Sequence, residues 1–184
     1  MLRTSAPLIG ALDMRDLISR DLPAVPDQLV DGWLLPFTSR VGWPPTKGND
    51  WRYILGLHRD LEYLQRCTWE RKTIAISPSI FVRRDLGIVV NLFRTHVLKE
   101  ATIFSDSMSD GLARFTSCKD YLTEHGSFPW PVVIESSREG YHILDGYHRL
   151  SAYCYLFGYF KIENEEVPCL KVAAEQQVWI GTHV

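Results

Sequence analysis

At 184 residues, with 46% hydrophobic residues and a formal net charge of −2, the chain can bury a full core, which excludes an intrinsically disordered protein. Its charge is uneven, because residues 1–100 carry 14 Lys and Arg against 11 Asp and Glu, and residues 101–184 carry 6 against 11. The acidic second part disfavours docking on a polyanion such as DNA.

Targeting signals and metal-binding cysteine motifs are missing from the sequence. The first apolar stretch is interrupted by Asp13, Arg15 and Asp16, which does not fit a secretory signal, and no apolar run approaches membrane-spanning length. The cysteines are too widely spaced for a zinc framework and lie at Cys67, Cys118, Cys154 and Cys169. These features predict a cytoplasmic protein with reduced thiols, no membrane span and no metal site built by its own cysteines or histidines.

The first half of the chain mixes irregular and regular segments. Residues 23–45 are rich in Pro, Gly and Trp, which predicts irregular structure packed on a core. From Asn49 onward, apolar residues recur at helical spacing, which predicts a helix ending near Cys67. Short β-branched runs then predict strands at 74–76, 81–82 and 87–90, with 95–104 as a weaker strand candidate.

The second half has clearer signals for where helices and strands begin and end. Ser109 is a predicted N-cap of a helix that Gly126 ends. The following pattern predicts, in order, a strand at 131–134, a turn at 136–140, a strand at 141–144, a helix from about 147 to 157 and a last strand at 167–172. This order predicts an α+β fold in which a mixed sheet packs against helices.

The most informative segment runs from Ile143 to Ala152, where a strand meets a glycine and a helix begins. Gly146 allows a sharp turn and a close approach of a ligand to the backbone, and Asp145 can cap the helix or hold a metal. His148 and Arg149 then lie beside the unsatisfied N–H groups of the first helical turn, where anions are attracted. The segment predicts a phosphate-binding corner.

This segment and its surroundings resemble the ParB/sulfiredoxin superfamily over residues 110–172. The shared pattern is a helix ending in Gly126, the Pro-led strand 131–134, the Asp-Gly-x-His-Arg corner, a helix ending in Gly158, and a Val-Pro-led segment at Val167. The resemblance implies a ParB/sulfiredoxin-like domain over residues 73–184. Residues 1–72 are then a long N-terminal extension, helical and irregular, packed on the core.

Single residues separate the branches of this superfamily. Sulfiredoxins carry a catalytic cysteine immediately before the His-Arg pair, and this chain has Tyr147 there. Chromosome-partition ParB proteins carry Gly-Glu-Arg-Arg and a following DNA-binding module, for which the 26 residues after Gly158 leave no room. The Asp-Gly-x-His-Arg form is most similar to the free-serine-kinase branch and to related ParB-like proteins.

The kinase resemblance implies ADP or ATP with Mg²⁺ as cofactor and a small hydroxyl metabolite as acceptor. Gly146, Tyr147, His148 and Arg149 would contact the nucleotide phosphates, and Asp145 would position Mg²⁺ or the acceptor hydroxyl. His148 and Asp145 would act in catalysis. The family's further catalytic glutamate is assigned to Glu100, with Asp106 as the second candidate.

Two alternatives stay open at this point. The first is a non-catalytic nucleotide-binding or protein-interaction module that keeps the corner without the catalytic acid. The second is a ParB-like nuclease or DNA-associated protein, which the acidic second part makes the weaker reading. The sequence does not determine the acceptor, the nucleotide or the oligomeric state.

Overall fold

A computed structural model describes residues 11–46, 51–55, 59–103, 110–162 and 171–184. The chain forms two compact units. The first contains the described residues up to Trp69 together with His183 and Val184, and the second extends from Glu70 to Thr182. None of the helices in these ranges is long and apolar enough to cross a membrane.

The first unit consists of short helices. They are α1 (Ala11–Asp21), α2 (Asp27–Leu29) with a π-helical turn (Val30–Leu34), α3 (Leu35–Val41), α4 (Arg52–Leu55) and α5 (Leu61–Gln65). Trp33 and Trp51 are fully buried in this unit, and the Trp51 indole donates to the Gly42 carbonyl over 2.8 Å. Aromatic packing therefore supplies much of its core.

The first unit corrects two predictions. Residues 23–45 are largely helical, because Pro26 and Pro36 stand at helix starts, where proline is tolerated. The helix predicted from Asn49, which lies outside the described residues, does not continue to Cys67. Instead the Asp60 carboxylate accepts the Tyr63 N–H over 3.0 Å and caps a separate helix, α5.

The second unit contains most of a mixed four-stranded sheet. Its strands are β1 (Cys67–Ala75), β2 (Val132–Ser137), β3 (Gly140–Asp145) and β4 (Glu175–His183), and they lie in the order β1-β4-β2-β3. β2 pairs with β3 in the antiparallel direction and with β4 in the parallel direction. The predicted α+β class and mixed sheet are confirmed.

Three longer helices accompany this sheet, and they are α6 (Arg83–His96), α7 (Gly111–His125) and α8 (Tyr147–Leu156). The strand predicted at 87–90 is therefore wrong, because these residues belong to α6. The candidate strand at 95–104 is also wrong at its start, where Thr95 and His96 complete the same helix. Val89, Leu92 and His96 are buried at helical spacing, so the three- and four-residue periodicity outweighs the β propensity of the local Ile-Val-Val run. α7 begins after Asp110, while Ser109 lies outside the described residues.

The C-terminal strand also differs from its prediction. Residues 163–170 lie outside the described part of the chain, and Val172 precedes β4 rather than forming a strand. β4 contains the buried Gln176, whose Oε1 accepts the Phe128 N–H and whose Nε2 donates to the Gly126 and Ala173 carbonyls. These bonds satisfy a buried polar side chain and fasten β4 to the segment after α7.

Candidate functional site

The corner forms where β3 ends at Asp145 and α8 begins at Tyr147. Gly146 lies between them at the N-cap position with φ of 109°, a conformation that side chains rarely adopt. A Cβ at this position would lie 2.9 Å from Val132 Cγ2 and 3.3 Å from Arg149 Nε. Gly146 is thus required by the backbone turn and by close packing on Val132.

Capping of α8, the first of the two roles predicted for Asp145, is not observed, because Gly146 occupies the N-cap position and no side-chain cap is present among the described residues. The Asp145 carboxylate accepts a hydrogen bond from Arg149 instead. The Arg149 guanidinium also donates to the Trp130 carbonyl over 2.7 Å and to the Pro131 carbonyl over 3.1 Å. Arg149 therefore joins the start of α8 to the segment that leads into β2.

His148 lies in the first turn of α8, and its ring is partly buried. Its Nε2 atom is buried without a hydrogen-bond partner in the described part of the chain. Burial, reinforced by His96 and Arg114, lowers the pKa of His148 to about 4, although Asp110 opposes this shift. The imidazole is therefore neutral at pH 7 and offers one donor and one acceptor nitrogen.

His96, the last residue of α6, adds a second imidazole that the sequence interpretation missed. Its ring stacks on His148 with centroids 5.7 Å apart and packs against Phe115 of α7. The residue is 9% exposed, and its Nε2 also lacks a partner among the described residues. The sequence feature that could have indicated a buried His96 is its helical spacing from Val89 and Leu92, in a segment that was predicted as strands.

Glu100 lies four residues after His96, and its carboxylate binds Arg94 at 2.6–2.7 Å. The described contacts do not join this carboxylate to Asp145 or His148. Tyr147 donates its hydroxyl to the Ile143 carbonyl over 2.8 Å, which fastens the helix start to β3. Asp106, the second candidate for the catalytic acid, lies outside the described residues.

The described residues contain no group of three His, Cys, Asp or Glu side chains that could hold a metal ion by themselves. Mg²⁺, however, is commonly held by one or two carboxylates together with substrate phosphates. Asp145 supplies one carboxylate at the corner, partly exposed and already bonded to Arg149. Asp145 is therefore the one carboxylate of the corner segment 143–152 that could contribute to such a site, together with the phosphates of a ligand.

The low pKa of His148 predicts a pH-dependent stability. An imidazole with a pKa of 6.5 in the unfolded chain and about 4 in the folded protein stabilises the fold fully above pH 6.5, and this contribution is lost as the pH falls towards 4. The pKa difference of His148 corresponds to a change of about 3 kcal/mol in the free energy of unfolding. His148→Gln removes it, so we expect the variant to lose less stability than the wild type between about pH 7 and pH 4.5.

Urea unfolding at several pH values across this window measures the effect. His125→Gln is the matched control, because His125 is exposed in the last turn of α7, and its pH profile should follow that of the wild type. Parallel profiles for the wild type and His148→Gln would show that His148 is not held neutral by burial.

Comparisons of the chain with protein-family models, curated proteins and solved structures found no match. The resemblance to the ParB/sulfiredoxin superfamily therefore stays a prediction based on the motif residues. The function is accordingly inferred from the corner itself.

Proposed function

We propose that this protein binds the phosphate groups of a nucleotide at the start of α8, as a ParB/sulfiredoxin-like domain would. The observation that carries the proposal is the Nε2 of His148 in the first turn of that helix, which is buried and has no hydrogen-bond partner among the residues that the structure describes. A buried polar atom without a partner costs free energy unless a ligand or water satisfies it. A phosphate oxygen is a suitable partner for an imidazole nitrogen that carries a proton.

The backbone around His148 favours an anion. The first-turn N–H groups of a helix have no intrahelical acceptor, and the helix dipole places partial positive charge at the same end. The corner lies at the end of β3, where Gly146 directs the chain into α8. Phosphate at this point would combine N–H donors with the His148 side chain.

The contacts indicate different roles for the predicted residues. Gly146 shapes the turn, and Arg149 holds the segment before β2 through Trp130 and Pro131. Arg149 is thus a positioning residue whose charge is shared with Asp145. ADP or ATP with Mg²⁺ is the proposed ligand, and Mg²⁺ bound with the nucleotide would neutralise phosphate charge beside Asp145.

Phosphoryl transfer to a small hydroxyl metabolite is the catalytic form of this proposal, with Asp145, His148 and Glu100 as the acting groups. Both carboxylates are bound to arginines, Asp145 to Arg149 and Glu100 to Arg94. This arrangement favours the alternative of a nucleotide-binding module without catalysis. A turnover assay with ATP or ADP and a panel of hydroxyl amino acids, serine included, separates the two.

The DNA-associated alternative receives no support from the charge around the corner. Between residues 141 and 160, Arg149 and Asp145 are the formally charged side chains, apart from histidines, and they pair with each other. A phosphate backbone requires several exposed Lys or Arg side chains. The segment 141–160 offers a single guanidinium, and Asp145 compensates its charge.

A thermal-shift screen tests the proposal. We expect ADP or ATP with Mg²⁺ at millimolar concentration to raise the melting temperature of the wild type, since ligands that bind the folded state stabilise it. His148→Gln should lose most of this shift, because the amide cannot reproduce the position and protonation of the imidazole. The readout is the difference in melting temperature with and without nucleotide.

His125→Gln should retain the nucleotide shift of the wild type, since its exposed ring lies at the other end of α7 from Asp110. CTP in the same screen reports nucleotide preference. If no nucleotide shifts the wild type, or if His148→Gln shifts as much as the wild type, the proposed site is wrong.

A further inference from the structure

The two stacked imidazoles of His96 and His148 form a feature that the corner motif does not include. His96 comes from the end of α6, and His148 comes from the start of α8, 52 positions later in the sequence. Both Nε2 atoms are buried without partners in the described ranges, and their rings lie 5.7 Å apart. Two neighbouring imidazoles that each keep an unsatisfied buried nitrogen can both bind one polar ligand.

The charges around this pair favour an anion over a metal cation. The positive charge of Lys99, which follows α6, lowers the pKa of His96. The charges of Arg114 in α7 and Arg149 in α8 lower the pKa of His148. Two carboxylates lie beside these three cations, and Asp110 is bound to Arg114 while Asp145 is bound to Arg149, which leaves one positive charge in excess. The described residues also provide no third ligand with which two imidazoles could complete a metal site.

We propose that His96 and His148 together form a proton-coupled binding site for a tetrahedral oxyanion, the terminal phosphate of the nucleotide. This inference rests on the proposed function and extends it, since it adds a ligand from α6 and makes binding depend on pH. One oxyanion accepts hydrogen bonds from both Nε2 atoms, and its negative charge favours protonation of the imidazoles.

Binding of the oxyanion and protonation of the two histidines favour each other. Without a ligand, burial lowers the pKa of both histidines. Lys99 adds to this shift at His96, and His96, Arg114 and Arg149 add to it at His148, where Asp110 acts in the opposite direction. A bound dianion raises these pKa values, so binding takes up protons and tightens as the pH falls from 7.5 towards 5.5. Sulfate is the suitable probe because its charge stays constant over this range.

The experiment is a sulfate titration of the full chain at several pH values, followed by NMR of the histidine Cε1–H signals. We expect the affinity of the wild type to rise about tenfold between pH 7.5 and 5.5, with both histidine pKa values raised by sulfate. His96→Gln keeps a hydrogen-bonding group and should retain weak binding without the full pH dependence. His96→Phe keeps an aromatic ring against Phe115 and should lose binding.

Far-ultraviolet circular dichroism of both variants verifies the fold. Nucleotide shifts that persist unchanged in His96→Gln and His96→Phe, with no effect of sulfate on His96, would overturn this inference and leave the proposed function standing. Absence of both nucleotide and sulfate binding in the wild type would overturn both. Saturation by Zn²⁺ but not by sulfate would identify the pair as a metal site and also contradict the inference.

Discussion

Replacing Gly146 with alanine is expected to destabilise the protein by about 3 kcal/mol. The residue has φ of 109°, where a Cβ is strained, and the new methyl group would lie 2.9 and 3.1 Å from the two Cγ atoms of Val132. Val132 is fully buried and its branched side chain has little freedom to move away. Urea unfolding followed by circular dichroism measures the loss, which corresponds to about 10 °C in melting temperature.

Gly87→Ala is the matched control. Gly87 lies inside α6, and a methyl group added there would meet no atom within 4 Å, so alanine should stabilise the helix by about 0.5–1 kcal/mol. Opposite signs for the two substitutions would confirm that the turn at Gly146 requires glycine. A loss of less than about 1 kcal/mol in Gly146→Ala would contradict this geometry.

Asp85→Ala is expected to cost about 3 kcal/mol, because it removes the buried carboxylate that joins α6 to β3. Asp85 is 7% exposed, and its Oδ2 accepts the Ile143 N–H over 2.9 Å and lies 3.2 Å from His142 Nδ1. Without it, a buried backbone N–H just before the corner has no acceptor. The measurement is the free energy of unfolding in urea.

Two further variants make this result interpretable. Asp85→Asn retains an oxygen for the Ile143 N–H and should cost about 1 kcal/mol. Asp120→Ala on α7 removes an exposed carboxylate and should change stability by less than about 0.5 kcal/mol. Equal losses for Asp85→Ala and Asp120→Ala would show that Asp85 does not fasten β3.

The sequence predicted the hairpin and the helix around the corner well because their signals are local. Gly126 and Gly146 both adopt positive φ, and the strand, turn and helix between residues 132 and 156 follow the predicted order. α6 was missed because its Ile-Val-Val run has β propensity, while its helical burial pattern depends on packing against distant residues. β4 was missed because Gln176 and Gln177 interrupt its apolar pattern.

The sequence predicted that the residues of the corner stand at the start of a helix, and it did not predict their contacts. The sequence placed His148 and Arg149 at the start of a helix, which is where they lie. It could not show that Arg149 binds carbonyls at Trp130 and Pro131, or that His96 stacks on His148, since these contacts join segments that are remote in sequence. The role of Glu100 in catalysis and the identity of the nucleotide stay predictions.

A crystal structure of the protein with ADP and Mg²⁺ at saturating concentration would test the phosphate site without an intermediate assumption. We expect a phosphate oxygen within hydrogen-bonding distance of His148 Nε2 and of an N–H group in the first turn of α8. A nucleotide bound elsewhere on the protein, with the His148 Nε2 still without a phosphate contact, would contradict the proposed site.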